Sequence, residues 1–189
     1  MRIIAGSHRG LTLTSVGKGD ADAHLRPTSD RVRESLFSML LGGAYGNPIT
    51  GAHVLDLFAG TGALGLEALS RGAAHTTFVD DGRTAQNLIR ENIKLTRRDK
   101  GTTTLIRTDA TKLPPNKGTP CSLIFLDPPY GKALGQVALA AARTGGWTAD
   151  NALIIWEENS PQHAPDGYEL HDQRRYGDTW ISIIEVANG

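Results

Sequence analysis

The sequence predicts an α/β fold: a mostly parallel, seven-stranded sheet with helices on both faces and an antiparallel C-terminal hairpin. Three observations predict it. From His53 onward, short apolar runs alternate with helical patterns, the β-α-β order that builds a parallel sheet. The runs are brief and bounded, as buried strands are. The last two, residues 168–175 and 179–186, meet at Gly177-Asp178, which leaves room only for a tight antiparallel turn. Ahead of this body, residues 1–45 read as an N-terminal extension, a β-hairpin followed by a helix, and residues 46–189 as the main domain.

Each element has its own signal. Arg2-Ile3-Ile4 and Leu11-Thr12-Leu13 flank a glycine-rich tip, a hairpin pattern. Residues 14–25 are polar and read as a loop. In the following helix Val32, Leu36, Met39 and Leu40 share one face. Thr28, Ser29 and Asp30 are capping residues, and Gly42-Gly43 ends the helix. After Pro48 come a strand at 53–58, a helix at 62–71, a strand at 76–79 and a helix at 84–96 with Leu88 and Ile89 inward. Strands at 103–107 and 122–126, an alanine-rich helix at 133–143 and a fifth strand at 152–156 complete the series.

Composition narrows the function classes. A chain of 189 residues is one domain with a sizeable core, of globular composition and zero net charge, so the molecule as a whole is no polycation. Charge is nevertheless uneven. Residues 1–50 hold six Lys/Arg against four Asp/Glu, and residues 90–100 hold five against two; both are candidate phosphate footprints, although a solvated helix face is the commoner origin of such a run. The single cysteine, Cys121, excludes an intramolecular disulfide and a cysteine-rich metal site. The six histidines show no ligand spacing, so no metal is expected. The apolar run after Arg2 is too short for a signal peptide, and no stretch approaches the ~20 apolar residues of a membrane span. The expected location is a reducing cytoplasm, and the expected state a monomer.

The chemistry concentrates after the fourth strand, at Leu126-Asp127-Pro128-Pro129-Tyr130. Neither proline can donate to a ladder, and Pro128 holds Asp127 extended. The result is a stiff corner that offers acceptors and few donors. It suits a planar exocyclic amine: two fixed acceptors take both N–H bonds and aim the lone pair. Tyr130 offers a flat face for stacking a base, worth roughly 1–3 kcal/mol. Trp156-Glu157-Glu158 ends the next strand, and one of these acids is a candidate for the base edge.

Ligands of such sheets bind beyond the strands' C-terminal ends. Asp56 stands there, followed by Phe58-Ala59-Gly60-Thr61-Gly62; Asp80 ends the second strand, and Asp109, with Ala110, follows the third. Gly60, Gly62 and Gly65 also satisfy G-x-G-x-x-G with an acid 20 residues on, the dinucleotide pattern, so an NAD-dependent oxidoreductase is an alternative. Against it, Asp56 would repel a pyrophosphate, and the sheet closes with an antiparallel hairpin. S-adenosylmethionine fits better. It carries no phosphate, a cationic amino group and sulfonium suited to Asp56, ribose hydroxyls suited to Asp80, and an adenine amine suited to Asp109.

These residues resemble a known family. Asp56-Leu-Phe-Ala-Gly-Thr-Gly62 is similar to the glycine loop of class I methyltransferases, and Asp127-Pro-Pro-Tyr130 to their amino-methylating motif, shared with adenine-N6 DNA methyltransferases. Arg2-Ile-Ile-Ala-Gly6 and Arg26-Pro-Thr-Ser-Asp-Arg-Val-Arg-Glu-Ser-Leu-Phe37 resemble the RsmD family, 16S ribosomal RNA guanine-N2 methyltransferases. The resemblance implies a Rossmann-like class I methyltransferase fold and methyl transfer from S-adenosylmethionine, giving S-adenosylhomocysteine, to a guanine N2 within 16S RNA or a 30S subunit. It implies catalytic roles for Asp127, Pro128, Pro129 and Tyr130. It implies cofactor contacts from Thr28, Asp56, Phe58, Gly60, Gly62, Asp80, Asp109 and Ala110. Arg9, Arg26, Arg31 and Arg33 are then the residues expected to meet RNA phosphate. Asp80 replaces the family's usual glutamate, and Leu11-Thr12 stand where the family often has basic residues. The alternatives are an adenine-N6 methyltransferase on DNA or RNA, the oxidoreductase, and a non-catalytic RNA-binding module.

Overall fold

The change of sequence period at Pro48 marks where the sheet begins. The computed structural model describes residues 1–15, 28–97 and 100–187. Its strands are β1 (His53–Leu57), β2 (His75–Val79), β3 (Thr103–Ile106), β4 (Cys121–Leu126), β5 (Thr148–Glu158), β6 (Tyr168–Tyr176) and β7 (Thr179–Val186). Its helices are α1 (Asp30–Leu41), α2 (Ala63–Ser70), α3 (Arg83–Thr96) and α4 (Leu134–Thr144). The strands form one sheet in the order β3-β2-β1-β4-β5-β7-β6. β1 to β5 pair in parallel because a crossover returns the chain each time; β7 pairs antiparallel with β5 and β6. This is the Rossmann-like class I methyltransferase fold that the sequence predicts. Strand β5 begins earlier than its apolar run, at Thr148, and reaches Glu158. No helix among the described residues is long and apolar enough to cross a membrane.

The chain runs from β1 outward to β2 and β3, then crosses back to β4 and β5 on the other side. Strand order therefore reverses between β1 and β4, where such sheets bind ligands. Register aligns the strand ends: Leu57 pairs with Val79 and with Leu126, and Leu126 with Trp156. The loops after β1, β2, β4 and β5 consequently emerge in one row.

Period-two alternation divides the strands between two cores. Val54, Phe78, Leu123, Phe125, Ile155 and Ile183 pack with α1, α2 and α3; Leu55, Val79, Ile124, Leu126, Trp156 and Ile184 pack with α4. Burying one fully exposed leucine or phenylalanine stabilises by about 1.5–3 kcal/mol, so these two layers carry most of the fold. On β5, Glu157 shares the parity of Ile155 and so lies on the α1–α2 face; Asp127 follows Phe125 by two and continues the same parity.

The N-terminal extension shares the first core through Ile3, Leu13, Leu36, Phe37 and Leu40. Its hairpin is irregular: one antiparallel bridge, Arg2 with Thr12, surrounds a 3-10 turn at Gly6–His8. Backbone bonds still join its arms, from Ile3 N–H to the Leu11 carbonyl at 2.9 Å, Gly10 N–H to the Ile3 carbonyl at 2.8 Å and Leu13 N–H to the Met1 carbonyl at 3.1 Å, and side chains from the main body fasten its tip. Glu67 of α2 is fully buried and accepts the backbone N–H groups of Ile4 and Ala5, at 2.8 and 3.1 Å, and Nε of Arg71 at 2.7 Å.

Arg33 completes this network, which corrects one expectation. It is fully buried, donates to the Arg2 carbonyl at 2.9 Å and to the Asp30 carboxylate, and lies 3.8 Å from Glu67. Arg33 therefore does not meet RNA phosphate. The inner face of α1 is Arg33, Leu36, Phe37 and Leu40, an i, i+3, i+4, i+7 set that contains a cation; Val32 and Met39 are only partly buried. Arg26, and the loop expected at 14–25 from residue 16 onward, lie outside the described residues.

Candidate active site

Two features aim the loop after β1 at the crevice. Phe58, a non-glycine residue, takes a left-handed φ of 57°, a strained turn of the kind that clusters at functional sites. Gly62 caps α2 at φ 77°, where a side chain would be strained. The loop is then tied down from three directions. Gly60 N–H donates to Asp80 Oδ2 at 2.9 Å, Ala59 N–H to the Val79 carbonyl at 3.0 Å, and the buried Asn92 Nδ2 to the Thr61 carbonyl at 2.9 Å. Asn92 also bonds both backbone groups of Thr14, so it fastens the extension to the same loop.

Asp56 does not reach the crevice. It is 2 % exposed, and its Oδ2 accepts the Gly65 N–H of α2 at 2.9 Å. Burial pushes its carboxyl up to about 8, against the Gly65 hydrogen bond that favours the ionised form. The expectation that its charge attracts a cationic ligand gives way to a packing role. Gly65 lets α2 come close: a Cβ there would lie 2.5 Å from the Phe78 ring. The same burial removes Asp56 as an argument against pyrophosphate. The strand order with its antiparallel end remains one, because the dinucleotide fold continues in parallel strands.

Asp80 faces the loop with both oxygens engaged by backbone amides, Oδ2 by Gly60 and Oδ1 by Gly82 at 2.8 Å. Burial raises its carboxyl above the usual range, and those amides oppose the rise. Each carboxylate oxygen can accept a second hydrogen bond, as a ribose diol requires. Asp109 caps the 3-10 turn Ala110–Lys112: its Oδ1 accepts the Thr111 hydroxyl and N–H, which hold its carboxyl below the usual range. Ala110 beside it is buried. Glycine backbone, a half-buried diol acceptor and a further carboxylate, all beyond strand ends, form a set that fits S-adenosylmethionine.

The corner after β4 abuts the same loop. Asp127 N–H donates to the Leu57 carbonyl at 3.4 Å, across the reversal of strand order. Pro128 is buried and Pro129 half-buried. The Tyr130 hydroxyl donates to Glu157 Oε1 at 2.8 Å and lies 3.3 Å from Thr179 Oγ1. Burial first, then the charge of Glu157, raises this phenol above its ordinary range; the charge of Asp127 adds to the rise. Glu157, 6 % exposed, takes the Thr28 hydroxyl on its other oxygen at 2.9 Å. Glu158 receives the Gly131 N–H at 3.2 Å and so holds the far end of the corner.

The structure thus brings Phe58, Gly60, Gly62, Asp80, Asp127 and, through Glu157, Thr28 and Tyr130 to neighbouring strand ends. The cations divide differently. Arg31 is exposed in the first turn of α1, two residues after the Thr28–Ser29 entry. Arg9 is exposed on the hairpin tip, beside Ser7 and His8, which bond Ser70 and Thr96 at the C-terminal ends of α2 and α3. Those ends lie by the N-terminal ends of the parallel strands, opposite the crevice. A 540 Å³ cleft lined by Tyr45, Asn151, His171 and Glu185 also belongs to that opposite end. Glu67 and Asn92 escape sequence reasoning, because a Glu or Asn inside a helical pattern carries no sign that it is buried.

Comparison with known proteins gives this geometry its relatives. The family model described as conserved hypothetical protein 95 matches residues 1–185. The chain is 37% identical over 180 residues to Ribosomal RNA small subunit methyltransferase D of Escherichia coli (strain K12), covering 94% of this chain and 85% of that protein. It is 34% identical over 182 residues to the Haemophilus influenzae protein of the same name, covering 94% and 89%. Among solved structures, Escherichia coli yhhF superposes with a TM-score of 0.82 at 34% identity, covering 100% and 99% of the two chains. The magnesium protoporphyrin IX methyltransferase of Synechocystis, solved with bound SAM, shares the fold at TM-score 0.62 and 14% identity, covering 83% of this chain and 79% of that one.

Proposed function

The chain belongs to the RsmD family, described as conserved hypothetical protein 95, and from that premise we propose that it methylates ribosomal RNA of the small subunit with S-adenosylmethionine, at the exocyclic N2 amine of a guanine. The names of its relatives support the coarser part, an rRNA methyltransferase. The finer part rests on one observation. A half-buried, acceptor-rich corner at Asp127 bonds the end of β1 at Leu57, directly before the glycine loop.

The acceptors favour guanine. Its amino edge offers the N2 hydrogens beside N1–H, all donors, whereas adenine presents its amine beside an N1 lone pair. The Asp127 carboxylate attracts the first edge and repels the second.

In this reading Gly60, Gly62 and Asp80 hold the nucleoside of S-adenosylmethionine, and Asp109 its adenine. The bound cofactor supplies an electrophilic methyl group on a cationic sulfur, and S-adenosylhomocysteine leaves. The Asp127 carboxylate and the Pro128 carbonyl accept the two amine hydrogens and aim the lone pair. Orientation of this kind contributes up to ~7–11 kcal/mol to lowering a barrier. Tyr130, with its tilt fixed by Glu157, stacks the unstacked base. The Asp127 carboxylate then favours the positive charge that develops on nitrogen and stands as acceptor for its proton. Arg31 meets phosphate at the rim of the site, and Arg9 meets more distant backbone.

The test is a transfer assay with methyl-labelled cofactor on 30S subunits, naked 16S RNA and duplex DNA, with nucleoside analysis of the product. N2-methylguanine from an RNA arm is the expected result. Label in adenine alone would replace this reading with the N6 alternative.

A further inference from the structure

We propose that Glu157 is a positioning residue that couples the two halves of the site: one carboxylate holds Tyr130 on the target-base side and Thr28, an expected cofactor contact, on the other. The inference rests on the methyltransferase reading above and extends it to a residue that touches neither reacting group.

The geometry is specific. Glu157 stands at the C-terminal end of β5, one residue past the Leu126–Trp156 pairing with β4, and its parity directs it to the α1–α2 face. Each of its oxygens takes a hydroxyl from a different chain segment, Tyr130 at 2.8 Å and Thr28 at 2.9 Å, separated by 27 and 129 residues from Glu157 in sequence. A carboxylate that is 6 % exposed must be satisfied where it lies, because an unpaired buried charge is costly. Two hydroxyl donors meet that need, and their hydrogen bonds to an ion are stronger than neutral ones. Tyr130 cannot turn without breaking its bond to Oε1, and Thr28 cannot withdraw without breaking its bond to Oε2. Because the two bonds share one rigid carboxylate, displacement of either hydroxyl moves the acceptor of the other. Thr179 Oγ1, 3.3 Å from the Tyr130 hydroxyl, walls the third side and narrows the phenol's choices.

A glutamine at this position keeps the shape but has one acceptor oxygen, so one of the two hydroxyls must reverse and donate elsewhere. The experiment compares wild type, Glu157→Gln, Tyr130→Phe and Thr28→Val, with the two double variants that contain Glu157→Gln. Three readouts are taken: melting temperature, affinity for S-adenosylhomocysteine by calorimetry, and single-turnover methyl transfer to RNA. Glu157→Gln should weaken S-adenosylhomocysteine and slow transfer, each about tenfold, with melting shifted by no more than about 4 °C. Adding Tyr130→Phe or Thr28→Val to Glu157→Gln should then change either readout less than twofold, because the carboxylate that accepts from both hydroxyls at once is already gone.

With Glu157 intact, the crossed effects are decisive: Tyr130→Phe should lower S-adenosylhomocysteine affinity, and Thr28→Val should slow transfer. They stand even if Glu157→Gln fails to fold. Losses that multiply in the double variants, or effects confined to each residue's own side, would overturn the coupling. Failure of the underlying reading looks different: wild-type protein that neither binds S-adenosylhomocysteine nor labels RNA. The affinity arm does not depend on which base is methylated.

Discussion

The backbone amide of Gly60 donates to Oδ2 of Asp80 at 2.9 Å, across 20 residues of sequence. The same carboxylate takes the Gly82 amide on its other oxygen. Asp80 therefore shapes the glycine loop before any ligand arrives. Asp80→Ala leaves two half-buried N–H groups without acceptors, at about 1–3 kcal/mol each, and removes the diol acceptor as well. Affinity for S-adenosylmethionine should fall at least tenfold by calorimetry. Asp80→Glu should retain most of it, since both oxygens persist. An alanine variant that binds at wild-type strength would remove Asp80 from the cofactor's contacts.

The carboxyl of Asp56 gives a pH signature. Its folded pKa, about 8, lies above the unfolded value of 3.8, so the folded state binds more protons between them. Stability from this group is fully present below about pH 4 and is lost as pH rises toward about 8. Asp56→Asn keeps an oxygen for the Gly65 amide but does not titrate. The melting temperature of the variant minus that of wild type should rise steadily across that window and level off above it. A flat difference would mean that Asp56 is ionised in the fold.

Much of this is legible in the sequence, and the misses share a cause. Alternation and short bounded apolar runs locate the strands, because only an extended chain turns successive side chains to opposite faces, and a run of five apolar residues is too short for a buried helix. The corner at Asp127 is legible because two prolines allow few conformations. Arg33 misleads because charge alone predicts exposure, and only the tertiary partners Glu67, Asp30 and the Arg2 carbonyl make its burial tolerable. Asp56 misleads likewise: a strand-end acid reads as a ligand group until α2 is seen to close over it. Which hydroxyls Glu157 holds depends on the distant segments at Thr28 and Tyr130, and no local pattern encodes such a meeting.

Asp127 should separate chemistry from cofactor binding. Asparagine in its place keeps the size but turns an N–H₂ group toward an amine that also donates, and it removes the charge opposite the developing cation. Single-turnover transfer by Asp127→Asn should fall about 10²-fold or more. Affinity for S-adenosylhomocysteine should stay within about twofold, because the loop hydrogen bond to Leu57 comes from the Asp127 backbone. Unchanged transfer would leave the proposed amine-holding role without support.

Arg31 and Arg33, two residues apart on α1, should respond oppositely to loss of charge. Arg33 is enclosed, so Arg33→Met strips a partner from Asp30, Glu67 and the Arg2 carbonyl together. Breaking a buried pair in this way costs about 3–5 kcal/mol. In a chain of this size each kcal/mol lowers the melting temperature by about 2–4 °C, so a drop near 10 °C is expected. Two of the Arg33 nitrogens, Nε and Nη1, make no hydrogen bond, which places the loss toward the lower end. Arg31 is exposed, and Arg31→Ala should leave melting almost unchanged, as surface substitutions usually do. Its effect should appear on RNA: weaker binding, and a salt dependence shallower by about one unit of slope per lost phosphate contact. If Arg33→Met melts like wild type, the buried network does not hold the extension. If Arg31→Ala binds RNA with the wild-type salt slope, the phosphate contact lies elsewhere on the surface.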